Sequence, residues 1–349
     1  MFRWIHHSYP PFLSKYEGFY ILVYPRQLNI VTLLEIICLL QGRLKRKEDI
    51  MFIFIINPSS GNGKSTTFWR SLEKKLHTEN VPFKKLVSTS THETRQFVSH
   101  ALKTHQVRAV GVIGGDGTIS SVIQELANTS IPLAIFPAGS GNDTARMFNL
   151  TNCPEQFIQG ILHGKTTCVD LLQLNDRFGI TVAGVGIDTT IEEKVKHASY
   201  LPFFNKLGLV SLAYLIASIG TALTFKPFNA KITIDHQKQF VPHAWLIVCG
   251  NTTSYGGGLK ICPDANPADG QFNLTMFHGI NRFKAMTRVF PALLSGKPIR
   301  KNGITYAVGK ELTISTDRPI PVIFDGEIIQ AMPLHIKIQP HALQLLITT

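Results

Sequence analysis

From residue 51 onward, short apolar segments alternate with amphipathic ones, and this alternation restricts the possible folds more than any other feature of the sequence. The predicted strands are 52–56, 83–88, 109–113 and 132–136, and the predicted helices are 64–80, 92–104, 119–128 and 143–148. Strands that alternate with helices are typical of a parallel sheet covered by helices. The first part of this region is therefore predicted to be an α/β domain.

Three of the predicted strands end in loops rich in glycine and small polar residues. The loops read N-P-S-S-G-N-G-K-S from Asn57, G-G-D-G-T from Gly114 and P-A-G-S-G-N-D from Pro137. Loops at the carboxyl ends of parallel strands meet in one crevice. Glycines allow the backbone to approach a phosphate closely, and N–H groups at helix starts donate to it. The sequence therefore predicts a phosphate-binding crevice.

Each loop also has an interpretation that needs no ligand. The first has Pro58 where a P-loop requires glycine, which argues against a Walker-type ATPase, and Lys64 either contacts phosphate or is solvated. Asp116 is expected to meet the magnesium ion of a polyphosphate and Thr118 to cap the next helix, although both could serve a simple turn. Asn142 and Asp143 either cap the following helix or direct a carboxylate into the crevice.

The remainder of the chain is rich in short strands set off by Gly, Pro and Asn. The predicted strands are 166–174, 178–185, 230–235, 244–250, 272–277, 311–316, 322–324 and 334–338, with helices at 207–223 and 282–294. This pattern predicts a second, mainly antiparallel domain. We expect an α/β domain over 51–165, a β-rich domain over 166–330, and a C-terminal segment, 331–349, that returns to the first domain.

The first fifty residues lack this order. The stretch 31–47 ends in R-L-K-R-K, which would suit an amphipathic membrane anchor. The alternative is that Met51 is the natural start, because M-F-I-F-I-I-N-P begins a buried strand at once. We prefer this alternative, in which residues 1–50 are an extension that is not native. This extension accounts for +3 of the net charge of +12, which leaves +9 on residues 51–349.

Composition narrows the functional classes. A positive net charge favours anionic partners, but no recognised nucleic-acid motif accompanies it, so no nucleic-acid partner is expected. Five cysteines without C-x-x-C spacing indicate neither a disulfide framework nor a zinc site and fit a reducing cytoplasm.

Six ordered motifs over nearly 300 residues resemble those of the diacylglycerol kinase catalytic-domain family of bacterial lipid kinases. Besides the three loops, they are G-V-G-I-D from Gly184, P-D-A-N-P-A-D-G from Pro263 and F-D-G-E from Phe324. The resemblance implies an N-terminal nucleotide-binding α/β domain, like those of NAD kinases and phosphofructokinases, and a mainly antiparallel β-sandwich C-terminal domain.

The resemblance also implies roles for particular residues. Glu327 is similar to the general base, which would take the proton of a lipid hydroxyl. Without the resemblance, Glu327 would be a solvated carboxylate after an Asp325-Gly326 hairpin turn. The residues similar to nucleotide contacts are Asn57, Pro58, Ser59, Ser60, Gly61, Thr89, Gly114, Gly115, Asp116, Gly117, Thr118, Ile119, Ser120 and Ser140. For Thr89, the neighbouring Ser88 and Thr91 compete.

A structural magnesium site is implied as well. It would be anchored by Asp269 with backbone carbonyls of Asn266 and Gln271, and Asp143 would join its network. The alternative is a plain Asp-Gly turn.

The expected function is ATP- and Mg²⁺-dependent phosphorylation of a membrane lipid, diacylglycerol to phosphatidic acid, by a cytoplasmic, peripherally membrane-associated homodimer. The predicted helix 207–223 would either pack in the core or lie near the lipid entry. The alternatives are a kinase for a sphingoid base, ceramide or undecaprenol, a NAD kinase, and a lipid- or nucleotide-binding regulator without activity.

Overall fold

The structure is a computed structural model that describes residues 12–16, 19–23, 50–196, 217, 219–285, 287, 303–330 and 332–347. The chain divides into two compact units, Met1–Ile50 and Met51–Thr349. In the first unit, β1 (Phe12–Tyr16) and β2 (Phe19–Val23) form an antiparallel hairpin. The stretch 31–47, considered above as an anchor, lies outside the described residues.

The second unit begins with a parallel sheet. Its strands are β3 (Ile50–Ile56), β4 (Phe83–Val87), β5 (Gln106–Gly114) and β6 (Leu133–Pro137), in the spatial order β4-β3-β5-β6. The helices are α1 (Lys64–Thr78), α2 (Thr91–Thr104), α3 (Asp116–Leu126), α4 (Asp143–Met147) and α5 (Pro154–His163). The predicted α/β class is confirmed.

Both faces of this sheet are buried, which explains the continuous apolar run of β3. Ile53 and Ile55 belong to a core with Val98 of α2 and Ile123 of α3. Phe54 points to the other face, where its ring lies 5.2 Å from that of Trp69 of α1. Because successive side chains of a strand point to opposite faces, one apolar sequence supplies two cores.

The rest of the unit is mainly antiparallel. Its elements are β7 (Thr166–Leu174), β8 (Arg177–Gly179), β9 (Val182–Gly186), α6 (Ile187–Lys196), β10 (Phe228–Ile234), β11 (Gln237–Gly250), β12 (Ser254–Tyr255), β13 (Leu259–Lys260), β14 (Phe272–His278), α7 (Arg282–Lys284), β15 (Ile304–Gly309), β16 (Glu311–Thr316), β17 (Val322–Phe324), β18 (Glu327–Ile329) and β19 (Leu334–Leu346). β19 pairs with β16 and β7 antiparallel and with β6 in parallel, through Leu345 and Leu133. Through β19, the antiparallel strands and the parallel strands belong to one sheet.

The structure corrects some predicted elements. The single strand expected over 178–185 is two strands, β8 and β9, because the N–H groups of Ile180 and Thr181 donate to the Asp325 carboxylate instead of to a neighbouring strand. Helices α5 and α6 were not predicted, although Pro154 at the first position of α5 is a known start signal.

Two predicted helices fall largely outside the described residues. Of 207–223, residues 217 and 219–223 are described as helical, and of 282–294, α7 and residues 285 and 287 are described. Within the described part of the chain, no helix combines the length and apolarity required to cross a bilayer.

Candidate active site

The three glycine-rich loops pack against one another at the carboxyl ends of β3, β5 and β6. A Cβ atom placed on Gly139 would lie 2.5 Å from the Cα of Gly115, and one on Gly61 would lie 2.7 Å from the carbonyl oxygen of Ala138. The Ala138 N–H also donates to the Gly114 carbonyl at 2.9 Å. Side chains at Gly61 and Gly139 would therefore separate the loops, so glycine is required for their contact.

The first loop is held by Asn57 at the end of β3. The Asn57 Oδ1 accepts from the Ser59 N–H at 3.0 Å, and the Asn57 carbonyl accepts from the Ser60 N–H and the buried Ser65 hydroxyl. Pro58 lies inside this turn. Helix α1 then begins at the exposed Lys64, and no side chain among the described residues caps its first N–H groups. The Lys64 N–H donates to the carbonyl oxygen of Gly61, and the N–H groups that follow it in the first turn of α1 can donate to an anion.

Thr118 does not cap the helix as predicted. Helix α3 begins at Asp116, so Thr118 lies within the first turn, and its hydroxyl accepts from Asn57 Nδ2 at 3.1 Å. This bond joins the first loop to the second. Ile119 and Ser120 are buried in the same helix, while Gly117 has open space where a Cβ would stand: among the described residues no atom lies within 4 Å.

Asp116 takes the capping role that was one of the two alternatives for Asn142 and Asp143. Its two carboxylate oxygens accept from the N–H groups of Asp143 and Thr144, both at 3.2 Å, at the start of α4. The Asn142 side chain instead exchanges hydrogen bonds with the backbone of Gly139. The reason is the left-handed backbone of Asn142 (φ 51°), which is not the extended conformation of an ordinary N-cap. Asp116 thus joins the second loop to the third.

Asp143 is buried and connects the third loop to the β-rich part of the chain. Its Oδ1 accepts from Arg146 Nη1 at 2.6 Å and its Oδ2 from the Gly257 N–H at 2.9 Å. Burial raises the pKa of Asp143 and the negative charge of Asp116 adds to this, while the bonds from Gly257 and Arg146 oppose it. The crevice therefore holds two carboxylates near each other, and the charge of Asp116 acts on Asp143.

A third carboxylate, Asp325, holds the turn between β17 and β18. It accepts three hydrogen bonds, from the N–H groups of Ile180 and Thr181 at 2.7 and 2.8 Å and from the Thr181 hydroxyl at 2.6 Å. Burial raises the pKa of Asp325, and the charge of Asp116 raises it further. Since Asp325 and Gly326 both have positive φ, they form the two-residue turn of a hairpin, in which Phe324 pairs with Glu327.

Glu327 therefore occupies the first position of β18, directly after this fixed turn. Its side chain is about half exposed (46%), and its Oε2 accepts from Arg177 Nη1 at 3.1 Å. β8, which carries Arg177, is tied to α3 by a reciprocal pair of hydrogen bonds between the Gln124 side chain and the Phe178 backbone. Glu327 is thus linked through Arg177 and β8 to α3, the helix that begins within G-G-D-G-T.

Four of the predicted nucleotide contacts are exposed, and they include Ser59 and Gly117. Ser140 is exposed in the third loop, and Thr89 is exposed after β4. Of the residues that compete with Thr89, Ser88 is buried, and its hydroxyl donates to Glu93 and accepts from the Ser90 N–H. Thr91 is the first residue of α2. Thr89 is therefore better suited to a ligand than Ser88 is.

The residues of the predicted magnesium site share one loop before β14. Asp269 Oδ1 accepts from the Gln271 N–H at 3.0 Å, and Asn266 Oδ1 accepts from the Ala268 N–H at 3.2 Å. Asn266 and Asp269 are exposed, and the Asp269 carboxylate with the backbone carbonyls of Asn266 and Gln271 would supply oxygen ligands, which suit a hard cation such as Mg²⁺. Within the described residues, no group of three or more His, Cys, Asp and Glu side chains could hold a metal.

Sequence analysis missed several residues that shape this site. Arg177 and Gly257 have no local motif, because their partners are 150 and 114 positions away in the chain. For Asp325, the sequence indicates a place in F-D-G-E and a hairpin turn with Gly326. The hairpin itself is confirmed, but the Asp-Gly pair gives no sign that the carboxylate would hold a distant loop.

Converging N–H-lined loops beside carboxylates at the end of a parallel sheet define a phosphate-handling enzyme of α/β type. The diacylglycerol kinase catalytic domain model matches residues 51–174, and the YegS C-terminal NAD kinase beta sandwich-like domain model matches residues 181–347. The diacylglycerol kinase of Mycobacterium tuberculosis (strain CDC 1551 / Oshkosh) is 32% identical over 312 residues, 87% of this chain and 97% of that protein.

A crystal structure of a diacylglycerol kinase from Bacillus anthracis str. Sterne has a TM-score of 0.66 at 21% identity, and covers 85% of this chain and 96% of that one. This likeness supports the fold. The chain belongs to the diacylglycerol kinase family of lipid kinases.

Proposed function

We propose that this lipid kinase transfers the γ-phosphoryl group of ATP, with Mg²⁺, to the hydroxyl of a diacylglycerol and so produces phosphatidic acid. The observation that carries the proposal is the position of Glu327 beside β8, whose Phe178 backbone is hydrogen-bonded to the Gln124 side chain of α3. In addition, Asp116 of the second loop is near enough to Asp325, in the turn before Glu327, for its negative charge to raise the pKa of Asp325.

In the proposed reaction, Glu327 takes the proton as the lipid oxygen forms a bond to the γ-phosphorus, and the bond from phosphorus to the bridging oxygen breaks to release ADP. The uncapped N–H groups of α1 and the backbone around Gly114, Gly115 and Gly139 orient the phosphates. Mg²⁺ would neutralise charge on the phosphates, with Asp269, Asn266 and Gln271 holding a second, structural ion.

An apolar and basic surface supports peripheral contact with an anionic membrane. Ile219 and Leu223 are 45% and 55% exposed on one side of the helix at 219–224, and Phe283 is 75% exposed. Arg282, beside Phe283, donates to the carbonyl oxygen of Phe225 at 3.1 Å, which brings these segments together. Sedimentation with vesicles of phosphatidylglycerol, but not phosphatidylcholine, is expected, and a Phe283→Ser variant should weaken it.

We also infer a homodimer, as in the family that the chain resembles. Among the described strands β15 pairs with β14 alone, which leaves one strand edge for a second copy. Light scattering during size-exclusion chromatography should give twice the mass of 38.8 kDa; a monomer would contradict this part of the proposal.

The test of the activity is labelled phosphate transfer from ATP to mixed micelles. Diacylglycerol is compared with sphingosine, ceramide, undecaprenol and, in solution, NAD. We expect labelled phosphatidic acid and a fall in kcat of about a hundredfold or more in Glu327→Gln, the size of general-base catalysis, without a change in ATP affinity. Transfer to another acceptor alone would replace the substrate, and unchanged turnover in Glu327→Gln would remove the base.

A further inference from the structure

Among the described residues, Arg177 forms an ion pair with Glu327, the carboxylate proposed as the base. The fold brings these two side chains together from chain segments 150 positions apart. We propose that Arg177 is a positioning residue that holds Glu327 for proton transfer. This inference rests on the proposed function, because it requires Glu327 to be the base. It assigns a role to a residue that lies in none of the six sequence motifs.

The backbones that carry the two side chains are fixed to each other by buried contacts. Asp325 binds the N–H groups of Ile180 and Thr181. A Cβ atom on Gly179 would lie 2.7 Å from Phe324 Cζ, so the β8 end and the β17 end touch without space for a side chain. Arg177 comes two residues before Gly179 and Glu327 three after Phe324. The ion pair therefore forms between two anchored chain segments.

The pair contributes little to the stability of the fold. The Arg177 and Glu327 side chains are 52% and 46% exposed, and exposed ion pairs are worth about 0 to 1 kcal/mol. An interaction of this strength still restricts a carboxylate that would otherwise rotate freely at the start of β18. Its consequence is therefore orientation rather than stability.

The geometry of the contact suits a base. Arg177 Nη1 donates to Oε2 of Glu327, and among the described residues no partner is seen for Oε1. A guanidinium stays protonated in proteins and has no acceptor atom, so Arg177 cannot replace Glu327 as the base. It can fix one carboxylate oxygen and leave the other free for the lipid hydroxyl.

The test is a double-mutant cycle with Arg177→Gln, Glu327→Gln and the double variant, measured by phosphate transfer to diacylglycerol micelles. Arg177→Gln should lower kcat about tenfold or more, while KM for ATP stays within about twofold. In the Glu327→Gln background the same change should have no further effect, because Arg177 acts through the carboxylate. Arg177→Lys, which keeps the charge, should recover part of the loss.

Lys337→Gln is the matched control. Lys337 forms a similarly exposed ion pair with Glu311 at 2.8 Å in the same sheet, with side chains 58% and 53% exposed. Its variant should have the Tm of Arg177→Gln and the kcat of the unchanged protein.

The outcomes separate the two proposals. Full turnover in Glu327→Gln would reject the base and the inference with it. An inactive Glu327→Gln beside a fully active Arg177→Gln would reject the role of Arg177 alone. A loss in Arg177→Gln that persists in the Glu327→Gln background, or a raised KM for ATP, would show that Arg177 contacts the phosphate and would overturn positioning.

Discussion

Replacement of Asp325 tests whether a buried carboxylate holds the turn before Glu327. In Asp325→Ala, the N–H groups of Ile180 and Thr181 lose their acceptor inside the protein, at about 1 to 3 kcal/mol each. The left-handed backbone at this position (φ 46°) is unfavourable for alanine and destabilises the folded state by about 1 kcal/mol more. Burial disfavours the charged form of Asp325 and so raises its pKa, and removal of this carboxylate therefore offsets part of the lost stability. We expect a net loss of about 3 kcal/mol in unfolding free energy.

Asp235 provides a control of the same local structure. It also begins a two-residue hairpin turn, at φ 45°, and its carboxylate accepts from the N–H groups of Lys310 and Glu311 at 3.0 and 2.8 Å. Both hydrogen bonds lower the pKa of this exposed carboxyl, and the bond from Glu311 has the larger effect. Because water can replace the lost acceptor, Asp235→Ala should cost about 1 kcal/mol, most of it from φ.

Urea unfolding of both alanine variants at pH 7 measures the difference, which we expect to be about 2 kcal/mol because the φ contribution is common to both. Asp325→Asn keeps the left-handed backbone and one acceptor, so its stability should lie between the unchanged protein and Asp325→Ala. Both Asp325 variants should also lose kinase activity, since Glu327 follows the turn, whereas Asp235→Ala should keep it. Equal losses of stability at the two positions would refute the argument from burial.

Two further predictions concern the glycine loops and a buried carboxyl. Gly117→Ala should leave Tm unchanged or raised but weaken ATP binding by about tenfold or more, because the added Cβ enters the space assigned to the nucleotide. Gly220→Ala is the control, since Gly220 is also helical and also has open space, and it should not affect ATP binding. Equal ATP affinities of the two variants in isothermal titration would contradict the assignment. Burial raises the pKa of Asp188 to about 6, although the hydrogen bond from the Tyr255 hydroxyl lowers it. The folded state therefore binds a proton more tightly than the unfolded state, and the free energy of unfolding falls by up to about 3 kcal/mol as the pH rises from about 4 to 6. In Asp188→Asn this part of the pH dependence should disappear, and parallel stability curves for the two proteins would disprove it.

Much of the fold could be predicted because local patterns carry it. The apolar run of β3 and the amphipathic helix Lys64–Thr78 each appear within a short window of sequence, and their predicted and observed bounds differ by two residues at most. The prediction failed where a distant partner decided the conformation. Ile180 and Thr181 have strand-forming sequence, yet they leave the strand because Asp325, more than 140 positions away, accepts their N–H groups.

The candidate site divides in the same way. The glycine-rich loops could be recognised from the sequence by itself. Gly115 and Gly139 approach each other so closely that neither position has room for a side chain, and this requirement is visible in the sequence as glycine. The sequence also determined the order of the loops along a parallel sheet. Only the tertiary structure decided that Asp116 caps the helix of Asp143, and that Arg177 reaches Glu327. The physical reason is that hydrogen bonds and ion pairs between side chains depend on positions in space, which residues far apart in the sequence acquire only when the chain has folded.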